Sequence, residues 1–316
     1  MPRPPLRALA VLSIVLVLGG CAGTWESIGA GLAYRKVALP DEQVRLDLPY
    51  RNDDDADAEK HRLDLFLPDP AIRDWPTVVF VHGGGWTSGD RATKVLGIEP
   101  ARNIGRFFAA HGVGAAVISY RLQPGVSWRE QVEDVADATA WVHREVGRWG
   151  GDANALFLSG HSAGAWLAAW VGLADSPLAR LGLDRSGLCG LVLVSGAGYD
   201  LEDEQTYALG AKRSYFENLF ADDDPEWARS ASIRKHVDEP VPPVLILSAE
   251  GEPGKFRRQG DLLFRAIEDR SPMAQRFVVP GQDHQRIVVS MSRAGDPVSR
   301  SILDFLEWAP CSSAVE

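Results

Sequence analysis

The segment that most constrains the fold is an apolar run that ends in a serine between glycines. Residues 155–159 are typical of a short buried strand, and the small apolar residues 163–174 predict a helix. Between them, residues 160–164 read Gly-His-Ser-Ala-Gly. A strand that turns into a helix so abruptly leaves room only for small residues beside the serine. The pattern therefore predicts a strained turn that lifts the Ser162 hydroxyl above a sheet edge, at a helix N-terminus.

A second glycine-rich motif follows another predicted strand. Residues 77–81 are β-branched and aromatic, as in a central strand, and residues 82–86 read His-Gly-Gly-Gly-Trp. Glycines allow backbone N–H groups to converge on a developing negative oxygen, because side chains would block the approach. The N–H groups of Gly84, Gly85 and Ala163 are the candidates for such an oxyanion hole.

Composition limits the remaining possibilities. A chain of 316 residues with 45% hydrophobic residues can bury a large core as one domain. Its net charge of −10 argues against nucleic acid or an anionic membrane face as a partner. The His, Cys and acidic residues show no metal-ligand spacing, so we expect neither a metal nor an organic cofactor.

The pattern of strands and helices predicts an α/β fold. Apolar runs that alternate with helical patterns indicate a mostly parallel sheet covered on both faces. Residues 44–48 and 62–67 alternate polar and apolar positions, which predicts half-exposed antiparallel strands at a mixed edge. Residues 199–240 lack a strand pattern and are rich in charge and aromatics, which fits a small helical cap. Strands are predicted at 77–81, 113–119, 155–159, 190–195, 243–248 and 276–280, and helices at 128–149, 163–174, 256–268 and 298–308.

The N-terminus resembles a bacterial lipoprotein signal peptide. A basic start precedes the apolar residues 8–18, a stretch too short to span a bilayer, and residues 18–21 read Leu-Gly-Gly-Cys. The resemblance implies export and lipidation of Cys21, with an ordinary secretory signal as the alternative. We predict an arm at 22–43, the catalytic domain at 44–310 and a tail at 311–316.

Two further cysteines lie outside the predicted signal peptide. An exported protein permits a disulfide between Cys189 and Cys311. However, Cys189 leads into an apolar strand and Cys311 follows the last helix near the chain end, so the sequence favours unpaired cysteines and leaves the disulfide open as the alternative.

These motifs together resemble the α/β-hydrolase superfamily over residues 44–308. Within it, the chain is similar to carboxylesterases of the hormone-sensitive-lipase and feruloyl-esterase-like branch, and also to arylformamidases and isoprenylcysteine methylesterases. The resemblance implies an α/β-hydrolase fold and ester hydrolysis through a serine, but it does not identify the ester. The matching segments are residues 63–68, 82–86, 119–122, 150–152 and 160–164.

A serine nucleophile requires a histidine base, and in this superfamily the chain order is serine, acid, histidine. His236 and His284 follow Ser162 with room for an acid between. His284 follows a predicted strand and a turn, which places it at the edge where catalytic groups gather in α/β sheets. His236 lies among charged residues and is typical of a solvated surface histidine. We predict His284 as the base.

The acid is expected on the loop after the strand 243–248. The family normally carries an aspartate there, and this chain has none. Alignment on Pro253 and on the arylformamidase-like residues 256–259 places the acid at Glu252. Glu250 is the first alternative, since a small shift of the turn would exchange the two, and Asp200 is the second.

Four other residues near these motifs also have predicted roles. We expect Trp86 to line the acyl or alcohol pocket, with a core position as the alternative. In family members the residue equivalent to His82 braces the glycine loop. His161 is expected to pack within the turn, and Asp283 either orients the base loop or lies at the surface.

The resulting prediction is a serine carboxylesterase that acts on a small or medium ester and approaches a membrane only through its lipid anchor. An arylformamidase uses the same three catalytic groups and is the principal alternative. A peptidase of this fold usually carries a propeller, for which the chain is too short, and a true lipase would need a large apolar lid. A non-catalytic surface protein would have lost the nucleophile. The oligomeric state stays open.

Overall fold

A computed structural model describes residues 34–95, 97–174, 177–183, 185–237, 240–309 and residue 311. Its centre is an eight-stranded sheet with the strand order β1-β2-β4-β3-β5-β6-β7-β8. The neighbours of β2 both run antiparallel to it, and every other pair is parallel, as predicted. The strands are β1 Val44–Pro49, β2 Arg62–Phe66, β3 Trp75–Val81, β4 Gly114–Ile118, β5 Gly151–His161, β6 Leu188–Val194, β7 Val244–Ala249 and β8 Ala274–Val279.

Helices cover both faces of the sheet. Two of them, α1 and the short α8, were not predicted from the sequence, although Ile104, Phe107 and Phe108 recur at helical spacing in α1. The helices are α1 Pro100–Ala110, α2 Trp128–Glu145, α3 Ala163–Leu173, α4 Glu204–Ala208, α5 Arg213–Phe220, α6 Trp227–Ser230, α7 Gly254–Ile267, α8 Arg286–Ser290 and α9 Pro297–Trp308. Three of these, α4 to α6, lie in the strandless segment 199–240.

The hydrophobic core is divided by the sheet into two layers. Alternate residues of β3 point to opposite faces, so Val79 packs with the layer under α2 and α3 while Val78 packs with the layer under α1 and α9. Strands buried on both faces read as continuous apolar runs, which is why the parallel strands were recognisable in the sequence.

The predicted environments of two strands, β2 and β8, need correction. β2 is not half-exposed: Asp64 is fully buried, because Arg102 at 2.7 Å and Arg91 at 3.3 Å pair with its carboxylate. A charge is tolerated inside a protein when it is paired in this way. Conversely, β8 is an edge strand, and Phe277 is 47% exposed although it begins the apolar run 277–279.

Of the two alternatives for the cysteines, the structure has the one that the sequence favoured less. Cys189 and Cys311 form a disulfide with their Cα atoms 4.3 Å apart. α9 packs across the start of β6, where Phe305 lies against Gly190, so the chain leaves the helix beside Cys189. The two cysteines are far apart in sequence, and the packing of α9 on β6 brings them together. No local sequence pattern predicts this.

The predicted signal peptide, Cys21 and most of the predicted arm precede the described residues. Within the described ranges, no helix has both the length and the apolar character needed to cross a bilayer.

Candidate active site

The turn after β5 has the strained geometry that the sequence predicted. Ser162 adopts φ 55° and ψ −121°, outside the regions that residues with a side chain prefer. A Cβ at Gly160 would lie 2.3 Å from the carbonyl oxygen of Gly164, and a Cβ at Gly164 would lie 2.2 Å from that of Val81. Only glycine fits at either position, so these sterics fix the serine between β5 and α3.

Three side chains from separate loops meet at this turn. The Nε2 atom of His284 lies 3.1 Å from Oγ of Ser162. Its Nδ1 atom lies 3.2 Å from Oε2 of Glu252. A carboxylate accepts hydrogen bonds, so Nδ1 carries the proton and Nε2 is free to accept the serine proton. Ser162, His284 and Glu252 therefore have the geometry of a nucleophile, a base and an acid that orients the base.

Glu252 reaches the imidazole from a loop that is held in place by its backbone. Its side chain is fully buried. The Arg257 guanidinium donates hydrogen bonds of 2.6 Å to the carbonyl oxygens of both Glu250 and Glu252. Phe256 packs on the His284 ring with the centroids 4.3 Å apart. Hydrogen bonds to the backbone thus hold the loop in place, and the Glu252 carboxylate faces the imidazole.

The competing acids and the competing base are engaged elsewhere. Glu250 accepts a hydrogen bond from the Gly281 N–H at 3.1 Å, and so ties the acid loop to the base loop. Asp200 is buried and pairs with Arg234 at 3.0 Å. The ring of His236 packs against Trp170. None of these side chains occupies the position that Glu252 or His284 occupies.

The glycine loop lies directly beside the nucleophile. Val81 and Gly160 are register partners in β3 and β5, so the two loops leave the sheet side by side. A Cβ at Gly83 would lie 3.2 Å from Cβ of Ser162. Gly84 and Gly85 have φ values of +129° and +60°, which glycine adopts readily. The close approach at Gly83 and the positive φ values at Gly84 and Gly85 explain why the sequence has three glycines here.

Hydrogen bonds to the carbonyl groups of this loop fix the direction of its N–H groups. In a trans peptide the C=O and the next N–H point to opposite sides. His82 Nδ1 donates to the Gly83 carbonyl at 2.7 Å, which orients the Gly84 N–H. Ser88 Oγ donates to the Gly84 carbonyl at 2.8 Å, which orients the Gly85 N–H.

Ala163 contributes a third backbone donor. It is the first residue of α3, where N–H groups have no acceptor within the helix. The Gly84 and Gly85 N–H groups likewise have no acceptor in the described part of the chain. The Ala163 N–H is adjacent to the serine at a helix N-terminus, which favours a negative charge there, and the two glycine N–H groups belong to the loop beside it.

Two buried histidines beside the nucleophile are neutral. Burial lowers the pKa of His82 from 6.5 to about 4 and that of His161 from 6.5 to about 3. His82 is also stacked on Tyr120, with the ring centroids 4.4 Å apart. Neither ring can act as a charged group at neutral pH, which leaves His284 as the proton acceptor at this turn.

Trp86 takes its alternative position, in the core. It is 3% exposed and its ring lies 5.1 Å from Phe220 and 5.6 Å from Trp166. Its carbonyl oxygen accepts a hydrogen bond of 2.8 Å from Gln131. The residue therefore anchors the glycine loop to α3 and α5. Its buried position favours a packing role over contact with a substrate.

The sequence did not reveal two further contacts on the glycine loop. Ser88 is recognisable only by its spacing of four residues from Gly84, which a turn requires for its hydroxyl to reach back. Tyr215 of α5 donates a hydrogen bond of 3.0 Å to the Gly85 carbonyl while its ring stays 43% exposed. No local signal links residue 215 to residue 85, so only the folded chain brings them together.

Asp283, for which the sequence allows two roles, caps the helix after the base. Its Oδ1 accepts hydrogen bonds from the N–H groups of Gln285 at 3.0 Å and Arg286 at 2.7 Å. Among the described residues, no three His, Cys, Asp or Glu side chains lie together as a metal site requires.

Curated proteins similar to this chain include two enzymes from distant organisms. Esterase LipC of Mycobacterium tuberculosis is 29% identical over 249 residues, which cover 76% of this chain and 60% of LipC. Kynurenine formamidase of Danio rerio is 25% identical over 252 residues, which cover 78% of this chain and 76% of that enzyme. The chain thus spans less than two thirds of the length of LipC.

The fold is also found among solved structures. Esterase B from Lactobacillus rhamnosis superposes with a TM-score of 0.69 at 21% identity, over 90% of this chain and 91% of that one. At this level of identity the likeness establishes the α/β-hydrolase fold. A family model named BD-FAE matches residues 63–265, a range that contains Ser162, Glu252 and the glycine loop. Because that range is more than half of the 316 residues, the chain belongs to the BD-FAE family.

Proposed function

We propose that this protein is a serine carboxylesterase that hydrolyses a small or medium carboxylic ester through an acyl-enzyme on Ser162. The observation that carries the proposal is the His284 imidazole, 3.1 Å from Ser162 Oγ on one side and 3.2 Å from Glu252 on the other. The similarity to esterases of known name supports the same reaction class.

In the first half-reaction, Ser162 Oγ attacks the ester carbonyl carbon while His284 Nε2 takes its proton. The buried Glu252 carboxylate keeps the imidazole in the correct tautomer and stabilises the positive charge that it acquires. The carbonyl oxygen becomes an oxyanion and accepts hydrogen bonds from the N–H groups of Gly84, Gly85 and Ala163. The intermediate collapses, and His284 returns the proton to the departing alcohol.

The second half-reaction repeats these steps with water. His284 accepts a proton from a water molecule, and the resulting hydroxyl attacks the acyl-enzyme carbonyl. The same three N–H groups stabilise the second oxyanion. Collapse of this intermediate returns the proton to Ser162 Oγ and releases the carboxylic acid.

The arrangement also fits an arylformamidase, because a formyl-anilide carbonyl can be attacked by the same serine. The similarity to kynurenine formamidase over most of both chains favours this as the second candidate. Against it stands the proposed export of the protein, which separates the enzyme from cytoplasmic amino-acid breakdown. The ester remains our first choice.

The test is a set of p-nitrophenyl esters of increasing acyl length, assayed beside N-formylkynurenine with protein lacking residues 1–21. We expect turnover of short and medium esters to exceed that of the formamide. Ser162→Ala should lower kcat by about 10⁴- to 10⁶-fold with the fold intact by circular dichroism. Turnover near the wild-type value in Ser162→Ala would overturn the mechanism.

We also propose that the enzyme is exported and lipid-anchored through Cys21. The lipoprotein-like residues 18–21 support this, and so does the Cys189–Cys311 disulfide, since disulfides persist mainly outside the reducing cytoplasm. Cys21→Ser should move the protein from washed membranes to the soluble fraction with its kcat unchanged. Retention of Cys21→Ser in washed membranes with residues 1–20 still attached would contradict cleavage and lipidation.

A further inference from the structure

The side chain that precedes the nucleophile makes a contact that packing alone does not explain. His161 is the last residue of β5, and its ring is 6% exposed. Its Nε2 atom lies 2.9 Å from the backbone carbonyl oxygen of His284. The residue next to the serine therefore touches the backbone of the proposed base.

The direction of this hydrogen bond follows from its acceptor. A carbonyl oxygen can only accept, so Nε2 of His161 carries the proton. Because burial holds the pKa of His161 at about 3, the ring stays neutral at any pH suited to His284 as a base. The His161 ring is thus a permanent N–H donor that adds no positive charge beside the base.

The rest of the base loop is held from the other side. The Gly251 N–H donates to the Gln282 carbonyl at 2.8 Å, and Gly281 donates to Glu250 at 3.1 Å. These contacts join the base loop to the acid loop and so fix it relative to β7. The His161 bond joins the same loop to β5, the strand that carries Ser162.

The opposite side of the His161 ring faces the glycine loop. A Cβ at Gly83 would lie 3.1 Å from Nδ1 of His161 and 3.0 Å from its carbonyl oxygen. His161 is therefore in contact with the glycine loop and with the base loop, and it is covalently joined to Ser162. No other described side chain has this combination of neighbours.

We propose that His161 is a positioning residue of the catalytic site: its Nε2–H holds the His284 backbone and thereby sets the distance from the His284 imidazole to Ser162 Oγ. The proposal rests on the proposed function, because it assigns His161 a role through His284. A displacement of about 1 Å at a reacting group can lower the rate by as much as 10²-fold, so a single backbone contact can control turnover.

The test compares three substitutions at one position. His161→Gln keeps an N–H donor at nearly the same reach, His161→Asn keeps the amide but is too short, and His161→Leu fills the space without a donor. We expect kcat to fall by about 10- to 100-fold in His161→Leu and His161→Asn, with KM within about twofold of the wild type. His161→Gln should stay within about fivefold.

A matched control is a histidine of α2 that bonds to the other end of the same strand, β5. His143 donates from Nδ1 to the Ala153 carbonyl at 2.8 Å, so His143→Leu removes the same kind of bond far from the serine. Its kcat should remain near that of the wild type. The rate of Ser162 labelling by a fluorophosphonate should fall in parallel with kcat in the His161 variants, since labelling needs the same base.

Two results would overturn the proposal. If His161→Leu kept the wild-type kcat, the contact with the His284 carbonyl would be dispensable. If His161→Gln lost as much activity as His161→Leu, ring shape rather than the hydrogen bond would matter. Should His161→Leu fail to fold, the Gln and Asn pair still decides the question. Loss of activity in Ser162→Ala, which tests the mechanism itself, is unaffected by either outcome.

Discussion

The two halves of the candidate site are built on different physical principles. The nucleophile half consists of the turn around Ser162 and the glycine loop, and steric exclusion shapes it: a Cβ at Gly164 would lie 2.2 Å from a backbone oxygen. The acid–base half consists of the loops after β7 and β8, and hydrogen bonds to the backbone shape it, among them the Arg257 contacts. Steric exclusion demands particular residue types at fixed spacing, whereas hydrogen-bonded loops can be built from many sequences.

If steric exclusion shapes the nucleophile half, one added methyl group there should destabilise the protein. Gly164→Ala should lower the free energy of unfolding by more than about 4 kcal/mol, because the new Cβ meets the Val81 and His82 carbonyl oxygens. Gly147→Ala is the matched control, since nothing lies within 4 Å of a Cβ at that position. The measurement is the urea midpoint of each variant. A Gly164→Ala protein as stable as Gly147→Ala would show that sterics do not fix this half.

The acid–base half should respond to chemistry rather than to volume. Glu252→Gln is nearly isosteric, but it removes both tautomer control and the counter-charge of His284, so kcat should fall by roughly 10²- to 10⁴-fold. Glu250→Gln should cost less than about tenfold, because a glutamine oxygen can still accept from Gly281. Steady-state kinetics of the two variants distinguish them. A larger loss in Glu250→Gln would reverse the assignment of the acid.

The pH dependence of stability should originate in the nucleophile half. His82 and His161 have pKa values of about 4 and about 3, whereas an unfolded histidine titrates near 6.5. Between these values the unfolded chain binds protons that the folded chain does not, so stability is full above pH 6.5 and is lost as the pH falls toward 4. The urea concentration at the unfolding midpoint should therefore be lower at about pH 5 than at about pH 7.5. The drop should be smaller in His161→Gln, and an equal drop would show that His161 is not a source of the pH dependence.

The smallest expected effect concerns the contact between α5 and the glycine loop. Tyr215→Phe removes the hydroxyl that donates to the Gly85 carbonyl at 3.0 Å, and we expect kcat to fall by a few-fold with KM little changed. Tyr207→Phe is the control, because its hydroxyl donates to the Leu201 carbonyl at 2.6 Å in the same segment. A shift in KM alone would indicate that Tyr215 contacts the substrate instead.

The same contrast explains what could be predicted from the sequence. The predicted end of β3 at residue 81 is confirmed, whereas β5 continues two residues past its predicted end at 159. Both strands were recognisable because buried parallel strands read as continuous apolar runs and glycines mark the turns. The position of His284 followed from its place after the last strand. Glu252 was harder to distinguish from Glu250, because the choice depends on a loop conformation that Arg257 stabilises through backbone atoms.

The features that the sequence predicted wrongly or left open depend on residues that are far apart along the chain. The Cys189–Cys311 pair depends on how α9 packs, and the burial of Asp64 depends on Arg91 and Arg102, which lie in other segments. For Trp86 the sequence allowed a pocket or a core position, and Phe220 of α5 packs against its ring. In each case residues that are distant in sequence determine the surroundings of the side chain, so the local sequence does not predict them.

In the proposed mechanism, Ser162 is the nucleophile that the Glu252–His284 pair activates. The most direct measurement is intact-mass analysis followed by peptide mapping after treatment with a fluorophosphonate. The wild-type protein should gain one adduct, located on Ser162, Ser162→Ala should gain none, and Glu252→Gln should gain the adduct more slowly. An adduct on another residue, or labelling of Ser162→Ala at the wild-type rate, would contradict the account.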